Sequence, residues 1–416
     1  MSEPAHSTPP RTSVCRVCGG TTTEFFDLGQ QPLSDAFRDP ADTSTEFSFQ
    51  LAVGRCSSCT LVQLIEEVPR EHMFHEDYPY LSSKSTTMQE HFQRTAHTFL
   101  RTELVGPDPF VVEIGCNDGV MLRTIGTAGV RHLGVEPSGG VAEIARENGV
   151  HVDTDFFDES TATHIRKRHG RADVIYAANT FCHIPYIESI FTGIDALLGP
   201  EGVFVFEDPY LGDILTQTSF DQIYDEHFFL FSVHSVTAMA KRFGFELVDV
   251  QRLPVHGGEI RYTLARAGTR PSTPAVEQLR TEEERRELTH PQTLNAFADN
   301  ARQIRDDLTS LLGELRSANN HIVAYGATAK SATVTNFCGI DTDLVSYVCD
   351  NTPTKQGRLT PGAHLPVRPA TDFASPYPDY ALLFAWNHAS EIMAKEQEFR
   401  DRGGKWILYI PEVHVV

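Results

Sequence analysis

The stretch Gln222-Ile223-Tyr224-Asp225-Glu226-His227-Phe228-Phe229-Leu230-Phe231-Ser232 sets a tyrosine, two acids and an imidazole among four large apolar side chains. Polar groups in such company are either exposed in alternation or held in an apolar pocket. In a pocket, an imidazole of ordinary pKa near 6.5 beside a carboxylate can take a proton at neutral pH. A base of that kind is worth about 10²–10⁴ in rate. A lone histidine is more often a core residue bonded to backbone. The Tyr-x-Glu-His cluster, at what reads as the carboxyl edge of a sheet, argues instead for His227 as a base.

Cysteine spacing points to a second kind of chemistry. Cys15-Arg16-Val17-Cys18 and Cys56-Ser57-Ser58-Cys59 are two C-x-x-C knuckles, each offering two thiolates, and four thiolates close a tetrahedral zinc shell. A closed four-sulfur shell leaves no open position, so the metal is expected to be structural. A disulfide pair or a redox C-x-x-C is the alternative reading. The long gap between the knuckles implies an inserted hairpin or loop. The other four cysteines (Cys116, Cys182, Cys338 and Cys349) stand in apolar contexts and read as buried small hydrophobes.

The elements that must position these groups follow from the apolar runs. Phe110 to Gly119 is a β-branched strand that ends on Glu113, breaks at Gly115 and Gly119, and leads into the amphipathic segment Val120 to Ile125. Strand, tight turn and helix start leave backbone N–H groups exposed to hold a small polar ligand. The glycine offsets do not fit a dinucleotide G-x-G-x-x-G. They resemble the first motif of class I S-adenosylmethionine-dependent methyltransferases, with Asn117 in place of a middle glycine and followed by Asp118. An ordinary strand-to-helix turn is the bland alternative. His132 to Glu136 is a second strand ending in a carboxylate, roughly 20 residues on, the spacing at which an acid meets a ribose diol. Val150 to Phe157 ends on Asp155 and Phe156, and Asp173 to Asn179 is a fourth strand ending in a polar residue. Gly202 to Asp208 is a fifth strand. Two closing strands flank the loop Val255-His256-Gly257-Gly258, and the second of them carries Arg261.

With 416 residues, 40% hydrophobic and 22% charged, the chain has room for two or three globular domains. No apolar run approaches the roughly 20 residues of a membrane helix. Met1 to Ser13 lacks the apolar core of a secretion signal, so a cytoplasmic location is expected. A net charge of −21 argues against nucleic-acid binding and requires any phosphorylated substrate to meet a locally basic pocket. Residues 267–318, rich in Glu, Arg, Gln and Leu, read as a pair of charged helices with a solvated face. A second α/β unit follows, opening on the strand and turn His321 to Ser331. It lacks a dinucleotide signature and is either free for a second ligand or structural and dimerising.

Taken together, the donor loop Glu113-Ile114-Gly115-Cys116-Asn117-Asp118-Gly119, the knuckles, the string Tyr224-Asp225-Glu226-His227-Phe228-Phe229 and the loop Tyr325-Gly326-Ala327-Thr328-Ala329-Lys330 resemble the sugar C-methyltransferases of deoxysugar biosynthesis. The likeness runs over nearly the whole chain, in the same order. It implies an α/β protein with a zinc-binding domain at 1–70, a class I methyltransferase domain at 71–266, a helical linker at 267–318 and a second Rossmann-like domain at 319–416. The cofactors implied are S-adenosylmethionine and a structural zinc. The substrate implied is a nucleotide-linked (dTDP) 4-keto-deoxysugar, methylated on carbon after proton abstraction. His227 matches the family's base. Glu226 and Tyr224 match residues that orient the imidazole and bind the sugar, His183 a pocket residue suited to an enolate oxygen, and Tyr78 a covering loop. Glu113, Gly115, Asn117, Asp118, Gly119, Glu136, Asp155, Phe156 and Asn179 match the donor site. Lys330 with the helix start after Gly326 suits the diphosphate. Asp350, Asn351 and Lys355 flank the nucleotide end, with His256 and Arg261 as further candidates. A monomer or homodimer is expected. Transfer to oxygen or nitrogen is the alternative within the class, and a non-catalytic zinc-bearing scaffold with a degenerate methyltransferase fold the alternative outside it.

Overall fold

The computed structural model describes residues 9–73 and 80–416, so Tyr78 lies outside the described residues. Each knuckle sits in a turn between antiparallel strands. β1 (Thr12–Val14) leads through Cys15 and Cys18 into β2 (Thr21–Pro32), and β3 (Ser48–Cys56) leads through Cys59 into β4 (Val62–Leu64). The insertion expected between the knuckles is most of β2 and β3 with the loop joining them. That loop reaches the far end of the chain: Arg38 pairs with Leu359, and the Glu46 carboxylate accepts from the Gly362 N–H. The short α1 (Arg70–Met73) leaves this unit.

The central unit begins with α2 (Thr86–Thr102), then alternates strand and helix: β5 (Phe110–Ile114), α3 (Val120–Thr127), β6 (Arg131–Val135), α4 (Gly139–Glu147), β7 (Val152–Asp153), α5 (Glu159–His169), β8 (Ala172–Ala178), α6 (Ile187–Leu197) and β9 (Leu198–Pro209). After α7 (Leu211–Gln217) come β10 (Phe229–Leu230), α8 (Val233–Arg242), β11 (Phe245–Leu253) and β12 (Glu259–Arg266). The seven-stranded sheet runs β7-β6-β5-β8-β9-β12-β11, parallel except for β12, which lies antiparallel to both neighbours. Helices cover both faces, which is why β5 is buried at every position and reads as a continuous apolar run. Strand order reverses between β5 and β8, and ligands of open α/β sheets sit outside the carboxyl ends at that point. The strand β10 leaves this unit to pair with β4 and completes the zinc-site sheet, Phe229 opposite Gln63.

The charged pair is α9 (Pro274–Arg285) and α10 (Pro291–Ser317), and it is more than a solvated connector. Leu294, Phe297, Ala301, Ile304, Leu308 and Leu312 form a buried stripe, with Phe297 set edge-on to Phe26 of β2. Glu283 is also buried. Its carboxylate accepts from the Val233 and His234 N–H groups at 2.7 and 3.0 Å, and from the Tyr210 hydroxyl at 3.0 Å. A carboxylate at the start of α8 satisfies two orphan donors and complements the helix dipole.

The last unit holds β13 (Ile322–Tyr325), α11 (Ala329–Cys338), β14 (Val348–Asp350), β15 (Val367–Pro369), β16 (Tyr380–Leu383), α12 (Ala389–Lys395), α13 (Gln397–Asp401), β17 (Lys405–Leu408) and β18 (His414–Val415). Its sheet order is β15-β14-β13-β16-β17-β18, parallel but for β18. Among the described residues, no helix is long and apolar enough to cross a membrane.

Candidate active site

A cavity of about 1210 Å³ opens where the carboxyl ends of β5, β6 and β8 face the start of α11 and the loop after β14, with Asp35 and Phe37 of the inserted loop closing one side. At one end stands the glycine-broken turn. Gly115 holds φ +66°, and a Cβ there would strike the Thr180 side chain; Asn117 takes the left-handed φ of +49° that its position demands. Glu136 receives the Asn117 N–H at 3.0 Å and the Ser138 N–H at 2.9 Å, which aims its carboxylate along the wall. Both it and Glu113 are buried, and burial raises both pKa values. The Oε2 of Glu113 makes no hydrogen bond although fully buried. A polar cradle lacking a Cβ, with an orphaned carboxyl oxygen and a diol-spaced acid, fits S-adenosylmethionine. Phe156 and Asn179 line the same end.

Three donor-site candidates lie outside the wall. Asp118 accepts the Ser83 N–H at 3.1 Å, so it anchors the segment 80–85, which lines the cavity. Gly119, at φ +78°, starts α3 with Val150 behind it. Asp155 is exposed and accepts the N–H of Phe156, with the Thr161 hydroxyl also near. Asn117 has a second task that sequence spacing did not reveal: its amide accepts from the Ser82 N–H and donates to the Tyr80 carbonyl.

In the middle of the cavity the Tyr224 hydroxyl meets His227 Nε2 at 2.8 Å, and His227 Nδ1 meets the Gln222 carbonyl at 2.7 Å. A carbonyl only accepts, so Nδ1 carries the proton and donates. Nε2 is then the lone-pair atom, accepting from the tyrosine. The ring is thus held by a backbone carbonyl, a contact invisible in a sequence pattern, and by Tyr224; the sequence reading gave this task to Glu226 and Tyr224, and Glu226 lines the same wall. His183 stacks toward His227 with ring centroids 5.3 Å apart. Burial lowers His227 well below the ordinary imidazole value, and the His183, Lys330 and His256 neighbours add to it. Burial alone pushes His183 down to about 3; burial with Lys330 does the same for His256. Three imidazoles are therefore neutral at neutral pH. Desolvation, rather than the expected carboxylate, is the leading cause of the His227 shift.

At the far end, Lys330 reaches the His256 carbonyl at 3.5 Å and lies over Trp386. No carboxylate pairs with it among the described residues, and burial lowers its pKa. Lys355, in contrast, is already neutralised by Asp35 at 3.0 Å and bonded to the Ala327 carbonyl. Asp350 spends its two oxygens on the Ala327 and Thr352 N–H groups, shaping the loop. Asn351 lines the cavity; Gly326, at φ +91° against Ala385, sits just behind it. Arg261 is not in the wall. It is locked to Glu207 at 2.5 Å and to the Thr95 hydroxyl, in a network where Glu207 also meets His91. A pattern search misses this because it sees a cation but not its buried counter-ion.

The four knuckle sulfurs converge, Cys15 on Cys59 at 3.5 Å and Cys18 on Cys56 at 3.4 Å, with no disulfide among them. The Cys15–Cys59 contact lowers the first thiol and raises the second, so one proton is shared between them; a zinc ion would take all four sulfurs as thiolates.

Residues 15–74 match the family model of a zinc binding domain, 87–250 that of a methyltransferase domain, and 254–411 that of the C-methyltransferase C-terminal domain. The C-methyltransferase NovU of Streptomyces niveus is 32% identical over 405 residues, covering 97% of this chain and 96% of its own. A ubiquinone biosynthesis O-methyltransferase of Actinobacillus pleuropneumoniae is 32% identical over 106 residues, 23% of this chain and 44% of its own. Among solved structures, the CcbJ methyltransferase of Streptomyces caelestis has a TM-score of 0.33 at 17% identity, covering 42% of this chain and 90% of that one. Cavity, knuckles and full-length likeness agree: the chain belongs to the NovU-like C-methyltransferases, S-adenosylmethionine-dependent enzymes with a zinc-binding N-terminal domain.

Proposed function

We propose that the enzyme methylates a carbon next to the ketone of a nucleotide-linked 4-keto-deoxysugar, with His227 as the base. One observation carries this reading. The buried Tyr224–His227 pair lines the same cavity as the donor cradle and as Lys330, which has no carboxylate partner among the described residues.

S-adenosylmethionine supplies an electrophilic methyl group when bound at the β5 turn. The chain's own residues do the rest. His227 is held neutral with its Nε2 lone pair on Tyr224, so a proton removed from the substrate carbon passes to Nε2, directly or through the phenol. The Gln222 carbonyl then faces a protonated ring whose Nδ1–H bond strengthens as charge develops. A ketone acidifies the neighbouring C–H, and a donor near the carbonyl oxygen stabilises the enolate by a few kcal/mol, in the range of about 2.7–4 for one well-aimed group. His183 is the candidate. Lys330 with the N–H groups opening α11 meets the diphosphate, a local basic site in a chain of net charge −21. Lys355, already paired, shapes the nucleotide end rather than supplying free charge.

Incubation with 4-keto nucleotide sugars in deuterated water, without donor, tests the reading. Solvent deuterium should enter the carbon next to the ketone, and labelled methyl should appear there once donor is added. Methyl on oxygen or nitrogen with no exchange at carbon would overturn it.

A further inference from the structure

His183 and His227 line the cavity, and Cys182 lies buried beside them, a group of side chains that the proposed reaction does not use together. Cys182, His183 and His227 are all buried, and their ligand atoms all lie within 4.8 Å of one another. Donor atoms of a tetrahedral zinc site stand about 3.4–3.8 Å apart, given bond lengths near 2.0–2.3 Å. Side-chain rotation of about an ångström closes the difference. The Asp208 carboxyl faces the Cys182 thiol, and the fields of Asp208, Glu259 and Glu226 all act on that sulfur. Asp208 and Glu259 are completely buried, and none of their four carboxyl oxygens makes a hydrogen bond of normal geometry. Cys182 and Thr180 approach the Asp208 carboxyl and Asn179 that of Glu259, and burial raises both acids well above the ordinary carboxyl range, so the site rests on the three clustered ligand atoms.

We propose that Cys182, His183 and His227 form a second metal site, selective for a thiophilic divalent ion such as Zn²⁺, and that occupancy switches the enzyme off. Thiolate and imidazole ligands suit Zn²⁺ and exclude Mg²⁺ or Ca²⁺. Binding releases the thiol proton to solvent and ties up the Nε2 lone pair of His227, displacing the Tyr224 hydroxyl. The site is distinct from the four-cysteine centre, which lies in another sheet. The inhibitory consequence rests on His227 as the base; the site itself does not.

The test uses the holoenzyme with its structural zinc in place. Equilibrium dialysis against Zn²⁺ should give two equivalents per wild-type chain and one for Cys182→Ala. Cys182→Ser, which keeps a hydroxyl toward Asp208, guards against a folding defect. Methyl transfer by the wild type should fall at least tenfold on saturation of the second equivalent, and recover with a chelator too weak to strip four thiolates. Both variants should turn over normally and lose that sensitivity. A wild-type chain that binds one equivalent, or variants that bind two, would overturn the site. Two equivalents with undiminished turnover would uphold the site and instead remove His227 as the base.

Discussion

Replacement of His227 by asparagine separates chemistry from binding. The Asn amide N–H₂ can still donate to the Gln222 carbonyl, as Nδ1 does at 2.7 Å, so the loop keeps its anchor. It cannot reach the Tyr224 hydroxyl, which now sits 2.8 Å from Nε2. The base is gone while the pocket stays closed. General base catalysis of about 10²–10⁴ corresponds to about 2.7–5.4 kcal/mol of barrier. The variant should lose turnover by that factor, and deuterium exchange at the ring carbon by the same factor. Donor affinity should stay within about twofold, because Glu113, Gly115 and Glu136 are untouched. Calorimetric titration of S-adenosylmethionine, beside mass-detected exchange, provides both readouts. Undiminished exchange, or a donor affinity that falls in step with turnover, would refute the assignment.

Other perturbations address the remaining parts. Because burial holds His227 below the ordinary imidazole value, the free enzyme keeps its base deprotonated as pH falls through 6.5. The acid limb of kcat/KM should therefore lie well below pH 6.5; a limb at 6.5 would contradict the buried ring. Lys330→Met should raise the KM for the sugar nucleotide about 10–150-fold, from loss of a charge-assisted contact of about 1.5–3 kcal/mol, with donor KM unchanged. Gly115→Ala, which forces a Cβ onto Thr180 at φ +66°, should weaken donor binding by calorimetry while leaving the fold intact by circular dichroism. Glu283→Gln removes an acceptor from the first turn of α8 and should cost about 1–3 kcal/mol in denaturant unfolding with little effect on KM.

The donor cradle was the most legible part of the chain because it is local. Strand, glycine, left-handed Asn117 and an acid one strand later are all set within a short run of sequence. The knuckles were legible for the same reason. What escaped was every contact whose partners are far apart. Arg261 looked like a free cation until Glu207 and Thr95 closed on it, and Lys355 until Asp35 did. Asp155 follows its motif, but its carboxylate is turned to the start of α5 rather than to the cavity. The helices after residue 267 showed their charge plainly, whereas the apolar stripe of α10 and the buried Glu283 depend on what packs against them. Composition reports a side chain's chemistry; only packing reports whether that chemistry is already spent.

The zinc centre is coupled to the base through one short strand. Phe229 and Leu230 follow His227 by two and three residues and pair with Gln63 and Val62, which themselves follow Cys59 by a few residues. The Ser34 N–H, from the inserted loop, bonds the Asp225 carboxylate at 3.1 Å, two residues before His227. Both ends of the catalytic string are thus fastened to a sheet too small to be stable on its own core, and metal binding supplies folding free energy to such sheets. The donor cradle is fastened elsewhere, to β5 and β6. Chelation of the structural zinc should therefore abolish turnover while S-adenosylmethionine still binds. A metal-free enzyme that kept its rate would mean that the β4–β10 pairing does not position the imidazole.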